Sequence, residues 1–187
     1  MSDSGLRVVA LSGATWPLFA DLVERNNGVY GGCWCAPYHV EYRRGAGGNR
    51  EFKKELVLCG RARAALVVDS EGQAQGWCQY GPADTLNLKH LRAYREDPPP
   101  PAEWRIACLF VDRHHRGLGI ARRALAGALD DITSAGGGRV EAISETAAGR
   151  AAQARFLFSA TVELFEEFHF ERVRHVGKHA WIVARQL

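Results

Sequence analysis

The stretch Ile106-Ala-Cys-Leu-Phe-Val-Asp-Arg-His-His-Arg-Gly-Leu-Gly-Ile-Ala121 constrains this chain more than any other. The apolar run from Ile106 to Val111 predicts a strand. A polar loop follows over Asp112 to His115, and Arg116-Gly-Leu-Gly-Ile-Ala121 opens a helix. The first turn of a helix carries N–H groups that no intrahelical carbonyl can reach. Those donors and the helix dipole together favour a bound anion, typically phosphate. Gly117 and Gly119 let a ligand approach the backbone without a Cβ in the way, and Arg116 adds fixed positive charge. The expected result is a pyrophosphate cradle between a strand and a helix.

The spacing narrows the kind of cradle. The Gly-Lys-Ser/Thr of nucleoside-triphosphatase loops is missing. The dinucleotide fingerprint needs a small residue three places after its second glycine, and Arg122 stands there. What remains is Arg-x-x-Gly-x-Ala, as Arg116, Gly119 and Ala121. It resembles the coenzyme A loop of the GNAT superfamily of N-acetyltransferases. The flanking order is similar too: a strand ending in Val111-Asp112, an amphipathic helix after the loop, then a strand over Arg139 to Ser144. Later, Leu164-Phe-Glu-Glu-Phe-His-Phe-Glu-Arg-Val173 resembles the family's helix-then-strand ending, usually Tyr-x-x-x-Gly-Phe-Glu. The resemblance is good from Trp104 to Val183 and only general in the N-terminal third.

The chain has 187 residues, 47% of them hydrophobic, which suits one α/β (α+β) domain with a sizeable core. A formal charge of +3, well mixed, gives no basic stripe for nucleic acid. The start is polar and the apolar stretch behind it too short for a signal core or a membrane span, so a cytoplasmic protein is expected. Five cysteines, an odd count, fit reduced thiols better than a disulfide framework.

Leu6 to Leu11 reads as a strand, and Thr15 as the cap of a helix beginning at Trp16-Pro17. A second helix spans Asn49 to Cys59 with Asn49 as its cap. Ala64 to Val68 and Ala74 to Tyr80 flank Asp69-Ser-Glu-Gly72 as a hairpin. Asp84 to Arg95 is a helix or an irregular loop, and Pro98 to Pro101 a stiff connector. In the helix after the cradle, Leu118, Ala121, Leu125, Ala128, Leu129 and Ile132 form the apolar face. Ser159 or Thr161 starts the last helix, and a final hairpin turns at Gly177-Lys178. The order predicts a mixed, twisted sheet with helices on both faces. Residues 1–100 are expected to form the acceptor side and 104–187 the coenzyme side of a single domain spanning 1–187.

The resemblance implies acetyl transfer from acetyl-CoA, as co-substrate, to an amine of unknown identity by direct attack in a ternary complex. It also implies where the coenzyme lies. Arg116 and the amides of Gly117, Leu118, Gly119, Ile120 and Ala121 would hold the diphosphate. Leu109, Phe110 and Val111 would offer a strand edge to the pantetheine arm, and a backbone N–H near Leu109 would serve the oxyanion. An alkyl ammonium of pKa about 10 must lose a proton before attack. Family members often carry a glutamate on the strand before the loop, and here Arg105 to Val111 has no carboxylate. The tyrosine that often protonates the leaving thiolate is replaced by Phe165. Glu145, Tyr38 or Ser159 is expected to do this work, or proximity alone carries it.

Cys33-Trp34-Cys35 with His39 invites a zinc reading, with only the scattered Cys59, Cys78 and Cys108 to complete it. No metal is expected. Cys33, Trp34, Cys35 and Tyr38 are read either as lining the acceptor pocket or as plain core. His114-His115 reads as exposed loop, Cys108 as core, and Arg43-Arg44 and Lys53-Lys54 as solvated surface. The alternative to an enzyme is an acyl-CoA-binding sensor on the same fold. Partners are expected to be acetyl-CoA and a small-molecule or peptide amine, without nucleic acid or membrane, in a possible homodimer.

Overall fold

A computed structural model describes residues 5–29, 31–44, 48–147 and 160–187. Seven strands form one sheet: β1 (Arg7–Ala10), β2 (Arg63–Val68), β3 (Ala74–Pro82), β4 (Trp104–Val111), β5 (Arg139–Glu145), β6 (Glu171–His175) and β7 (Ala180–Gln186). Their spatial order is β1-β2-β3-β4-β5-β7-β6. All neighbours run antiparallel except β4 and β5, which are parallel. The central strands are covered on both sides, which is why β2 and β4 read as near-continuous apolar runs rather than alternations.

Helices α1 (Trp16–Arg25) and α2 (Asn49–Leu58) cover one face. Their core joins Trp16, Phe19, Leu22 and Leu56 to Trp77 and Phe110. The other face carries α4 (Ile120–Ser134) and α5 (Val162–Glu167), whose Leu125, Ile132 and Phe165 meet Ile106, Leu109 and Val140. The short α3 (Leu91–Glu96) precedes β4, and its Ala93 and Tyr94 pack near Ile143 and Ile182.

Several expectations need correction. Leu118 does not belong to the apolar face of α4: it lies in the loop before the helix and is 60% exposed, and Ile120 and Ala124 are buried instead. Asn49 is the first residue of α2 rather than its cap, and its side-chain amide donates to the Gly32 carbonyl at 2.8 Å. Thr15 sits at the cap position of α1 without capping it, because its hydroxyl donates to the Ala10 carbonyl at 2.7 Å and ties β1 to the helix. Lys53 is buried rather than solvated, at 1% exposure.

Gly76 has a packing role that its place in β3 hides. A Cβ there would lie 2.6 Å from Ile120 Cγ2 and 2.7 Å from the Phe110 carbonyl oxygen. Its absence lets the first residue of α4 sit directly on the sheet, opposite Val111, the last residue of β4. The start of α4 is therefore seated on β3 as well as on β4.

Candidate active site

Strands β4 and β5 pair only from Trp104 to Ile106 against Val140 to Ala142. Two features then part them. Ala107 is the extra residue of a bulge, since Tyr80 faces Ile106 while Gln79 faces Cys108. A bulge bends its strand and increases local twist. The edge of β5 that β4 leaves is met by another segment: Glu145 bridges Thr161 in parallel, and Ser144 Oγ donates to the Ala160 carbonyl at 2.9 Å. The N-terminus of α5 thus enters the gap, with Thr161 capping the helix by accepting from the Leu164 N–H at 3.2 Å.

The main chain of β4 past the gap faces it. Asp112 N–H donates to the Gln75 carbonyl at 2.9 Å, which marks that pair as hydrogen-bonded to β3. Antiparallel ladders alternate, so Phe110 and Cys108 also turn toward β3, and Leu109 and Val111 turn their N–H and C=O the other way.

At the end of β4 the loop is braced from below. Asp112 is 4% exposed and accepts from the His114 N–H at 2.9 Å, starting the 3₁₀ turn Arg113–His115. It also accepts from Asn26 Nδ2 at 2.9 Å and Arg25 Nε at 3.3 Å, from the end of α1. Burial alone would raise this carboxyl, but the hydrogen bonds from Asn26, His114 and Arg25 outweigh it and hold the pKa down at about 2. Arg25 also donates to Gln75 Oε1 at 2.8 Å, so one guanidinium joins α1, the β3 bulge and the loop.

Beyond the turn, Arg116, Gly117 and Leu118 are exposed, and Gly117 (φ 79) and Gly119 (φ 77) are left-handed. A Cβ at either glycine would meet nothing within 4 Å, so the mouth of α4 is open. Arg123 N–H is the first to close an intrahelical bond, 3.0 Å to the Gly119 carbonyl, and the amides of Ile120, Ala121 and Arg122 before it have no intrahelical acceptor. Arg122 does not face the mouth as free charge: it makes a bidentate pair with Glu167 of α5, both contacts 2.6 Å. These residues fit a pyrophosphate, in chemistry and in space.

On the other side of the gap, a small cavity with room for about one water-sized group is lined by Tyr38, Asn87, Leu88, Lys89, Ile106, Ala107 and Ile143. Residues 38 and 87 are stitched together: the Asn87 N–H donates to the Tyr38 carbonyl at 2.6 Å, and His39 bridges Leu86. Glu145 closes β5 at the same end, opposite Ala180 of β7. The predicted residues separate here. Tyr38 lines the cavity, whereas Trp34 is buried against Trp16, with ring centroids 5.8 Å apart, and Cys35 is fully buried. Trp34 (φ 51) and Cys35 (φ 53) are both left-handed, a strained entry to the turn Ala36–Tyr38 that delivers Tyr38. Ser159 lies outside the described residues. Phe165 is fully buried, edge-on to Phe170 at 5.0 Å, and His169 after it takes the left-handed conformation (φ 59) in which glycine is usual.

Behind Tyr38 lies a polar cluster that sequence reasoning missed. Lys53 Nζ donates to Gln79 Oε1 at 3.0 Å and lies 2.9 Å from His39 Nε2. Burial pushes the Lys53 pKa down to about 8, and burial with the Lys53 charge pushes His39 down to about 3. The Cys33 thiol is pushed up by its hydrogen bond to Cys35 and by burial, and Cys35 is raised chiefly by its hydrogen bond to Cys108. No group of three or more His, Cys, Asp or Glu side chains suited to a metal occurs among the described residues. Only the three- and four-residue spacing of Lys53 from the apolar Leu56 and Val57 of α2 could have hinted at its burial, and the adjacent Lys54 masks it.

The model of the acetyltransferase (GNAT) family matches residues 22–159. The chain belongs to that family. It is an acetyl-CoA-dependent acyltransferase. Solved structures share the fold at low identity. A GCN5-related N-acetyltransferase from Kribbella flavida is 17% identical with TM-score 0.58, covering 100% of both chains. A mosquito arylalkylamine N-acetyltransferase-like protein is 12% identical with TM-score 0.59, covering 97% of this chain and 100% of its own. NAA60 of Arabidopsis thaliana, solved in complex with acetyl-CoA, is 14% identical with TM-score 0.55, covering 97% and 99%. No curated protein matches significantly. Among the described residues no helix is long and apolar enough to cross a membrane.

Proposed function

We propose that this acetyltransferase acetylates an amine by direct attack in a ternary complex. The observation that carries the reading is the divergence of β4 from β5 after Ile106. It leaves the main chain of Leu109 and Val111 facing a gap that has the glycine mouth of α4 beyond one end and the Tyr38 cavity at the other.

Acetyl-CoA supplies an acetyl thioester; an amine N–C bond is made, the C–S bond is broken, and the amine proton leaves as a thiol is released. The chain's own residues bind, orient and move protons. The amides of Gly117 to Ala121, with Arg116, hold the diphosphate by charge and dipole. The outward groups of Leu109 and Val111 pair with the peptide-like arm as an added strand, with Phe110 between them keeping the edge in register. The Leu109 N–H is aimed where negative charge grows on the carbonyl oxygen. Glu145, at the end of β5, takes the amine proton, and Tyr38 lies on the facing wall as the donor that Phe165 cannot be. Ser159 remains a second candidate donor. Of the segment Cys33 to Tyr38, Tyr38 is the side chain that faces the cavity, while Trp34 and Cys35 pack in the core and hold the turn that presents it. All five cysteines are free thiols, which supports a reducing, cytoplasmic setting.

Thiol release from acetyl-CoA on adding a panel of primary amines tests the reading. Amine-dependent release that disappears in Glu145→Gln and falls in Tyr38→Phe is expected. Release that no amine stimulates would overturn it.

A further inference from the structure

Helix α2 grips the segment that presents Tyr38 at two points. Asn49 and Lys53 stand four residues apart, on one face of the helix. The Asn49 amide donates to the Gly32 carbonyl at 2.8 Å, and Lys53 Nζ lies 2.9 Å from His39 Nε2. Phe52 of the same helix is edge-on to His39, with ring centroids 6.2 Å apart. His39 in turn bridges Leu86, and its carbonyl accepts from Asn87 Nδ2 at 3.2 Å. The same ammonium donates to Gln79 Oε1 at 3.0 Å, and Gln79 Nε2 is 3.3 Å from His39 Nε2. Gln79 faces Cys108 across the ladder, at the step where Ala107 bulges out of β4. One buried triad therefore touches both the Tyr38 turn and the strand that leaves β5.

Among the described residues no carboxylate pairs with Lys53. Besides Gln79 and His39, the Phe19 ring lies 6.0 Å from its Nζ, and the thiols of Cys33, Cys35 and Cys108 are within electrostatic reach. An ammonium buried without a counter-ion is unfavourable, and here burial pushes its pKa down to about 8. An apolar side chain of similar size would pack at less cost. What the ammonium alone offers is three donors on one nitrogen, enough to hold acceptors from two different elements at once. His39 serves as such an acceptor, because burial and the Lys53 charge keep its ring neutral. The left-handed Trp34 and Cys35 are strained and persist only where their surroundings hold them. Resting on the acetyl-transfer reading above, we propose that Lys53 is a positioning residue for the transfer step, holding the Tyr38 turn in register with the bulged part of β4. The far end of β4 has its own brace in Asp112, Arg25 and Asn26, so Lys53 acts on transfer and not on coenzyme binding.

Lys53→Met keeps an apolar stem of similar length and removes the donors. We expect its kcat for amine-dependent thiol release to fall at least about tenfold, with KM for acetyl-CoA within about twofold of wild type. A merely structural lysine would instead lower stability and leave kcat per folded molecule unchanged. His39→Gln keeps a neutral acceptor and should retain most of kcat, whereas His39→Leu should match Lys53→Met. The double variant Lys53→Met/His39→Leu should be no slower than either single one, because one network carries both effects. A wild-type kcat in Lys53→Met, His39 variants that behave alike, or additive losses in the double variant overturns the proposal. Should Lys53→Met fail to fold, the two His39 variants decide alone. Hydrogen exchange on the acetyl-CoA-loaded protein needs no turnover. The Asn87 amide, bonded to the Tyr38 carbonyl, should exchange faster in Lys53→Met, and the Arg123 amide of α4 should not. That result in a protein that turns over no amine would sink only the acetyl-transfer reading. Unchanged Asn87 exchange, or equal acceleration of both amides, overturns the positioning role.

Discussion

Replacing Gly76 by alanine probes how the cradle is seated. The added methyl would stand 2.6 Å from Ile120 Cγ2 and 2.7 Å from the Phe110 carbonyl oxygen. Carbon atoms prefer about 3.5–4.0 Å, so something must retreat by roughly 1 Å. The carbonyl belongs to the central strand β4 and is fixed by pairing with β3. The yielding partner is therefore Ile120, the first residue of α4. Overpacking of this kind costs about 1–3 kcal/mol, which for a chain of this length lowers Tm by about 2–4 °C per kcal/mol. The functional loss is separate. A shift of about 1 Å in positioning groups can cost 10²-fold, because the Ile120 and Ala121 amides would no longer converge with those of the loop. We expect thermal unfolding to show a modest fall in Tm and titration calorimetry to show acetyl-CoA affinity reduced by at least tenfold. Gly127→Ala is the control. Its Cβ would meet Val8 Cγ1 at 2.5 Å, the far end of an exposed side chain of β1 beneath α4, so stability should fall modestly with coenzyme affinity retained. Unchanged affinity in Gly76→Ala, or an equal loss in Gly127→Ala, would refute the idea that Gly76 seats the cradle.

Gly119→Glu should abolish acetyl-CoA binding by calorimetry while far-UV circular dichroism stays native, since the side chain meets open space yet puts a carboxylate at the diphosphate. Asp112→Ala should weaken acetyl-CoA binding and destabilise the protein by about 2 kcal/mol, because the Arg25 and Asn26 donors lose their shared acceptor; equilibrium denaturation checks the second effect. Lys53 titrates at about 8 in the fold against 10.5 when free. The unfolded chain thus binds more protons between those values, and stability should rise with pH across that window. The difference is about 3 kcal/mol at about 1.4 kcal/mol per unit, and comparing urea unfolding of the wild type and Lys53→Met from pH 7 to 11 isolates it. An identical slope in both proteins would show that Lys53 is not the group responsible.

The strand, the break and the glycines from Ile106 to Ala121 determine by themselves that a glycine turn with unpaired amides opens a helix, because backbone freedom and hydrogen-bond vacancy are local properties. The periodicity of α4 and the hairpin at Asp69-Ser-Glu-Gly72 are local in the same sense, and Asp69 accepts from the Glu71 and Gln73 amides as such a turn requires. With the family's flanking pattern, these elements imply a mixed sheet with helices on both faces. Other positions were much less legible. Leu118 read as core by spacing and is exposed, since the helix starts only at Ile120. Lys53 read as surface and is buried, because Gln79 and His39 reach it from elements 26 and 14 residues away in sequence. Lys89 meets Tyr38 and Ile143 only where the chain folds back beside the gap. Contacts between distant segments leave no periodic trace in the residues that make them. The glycine opening of α4 could be read from the chain alone; the parting of β4 from β5, and the burial of Lys53, were decided by tertiary packing.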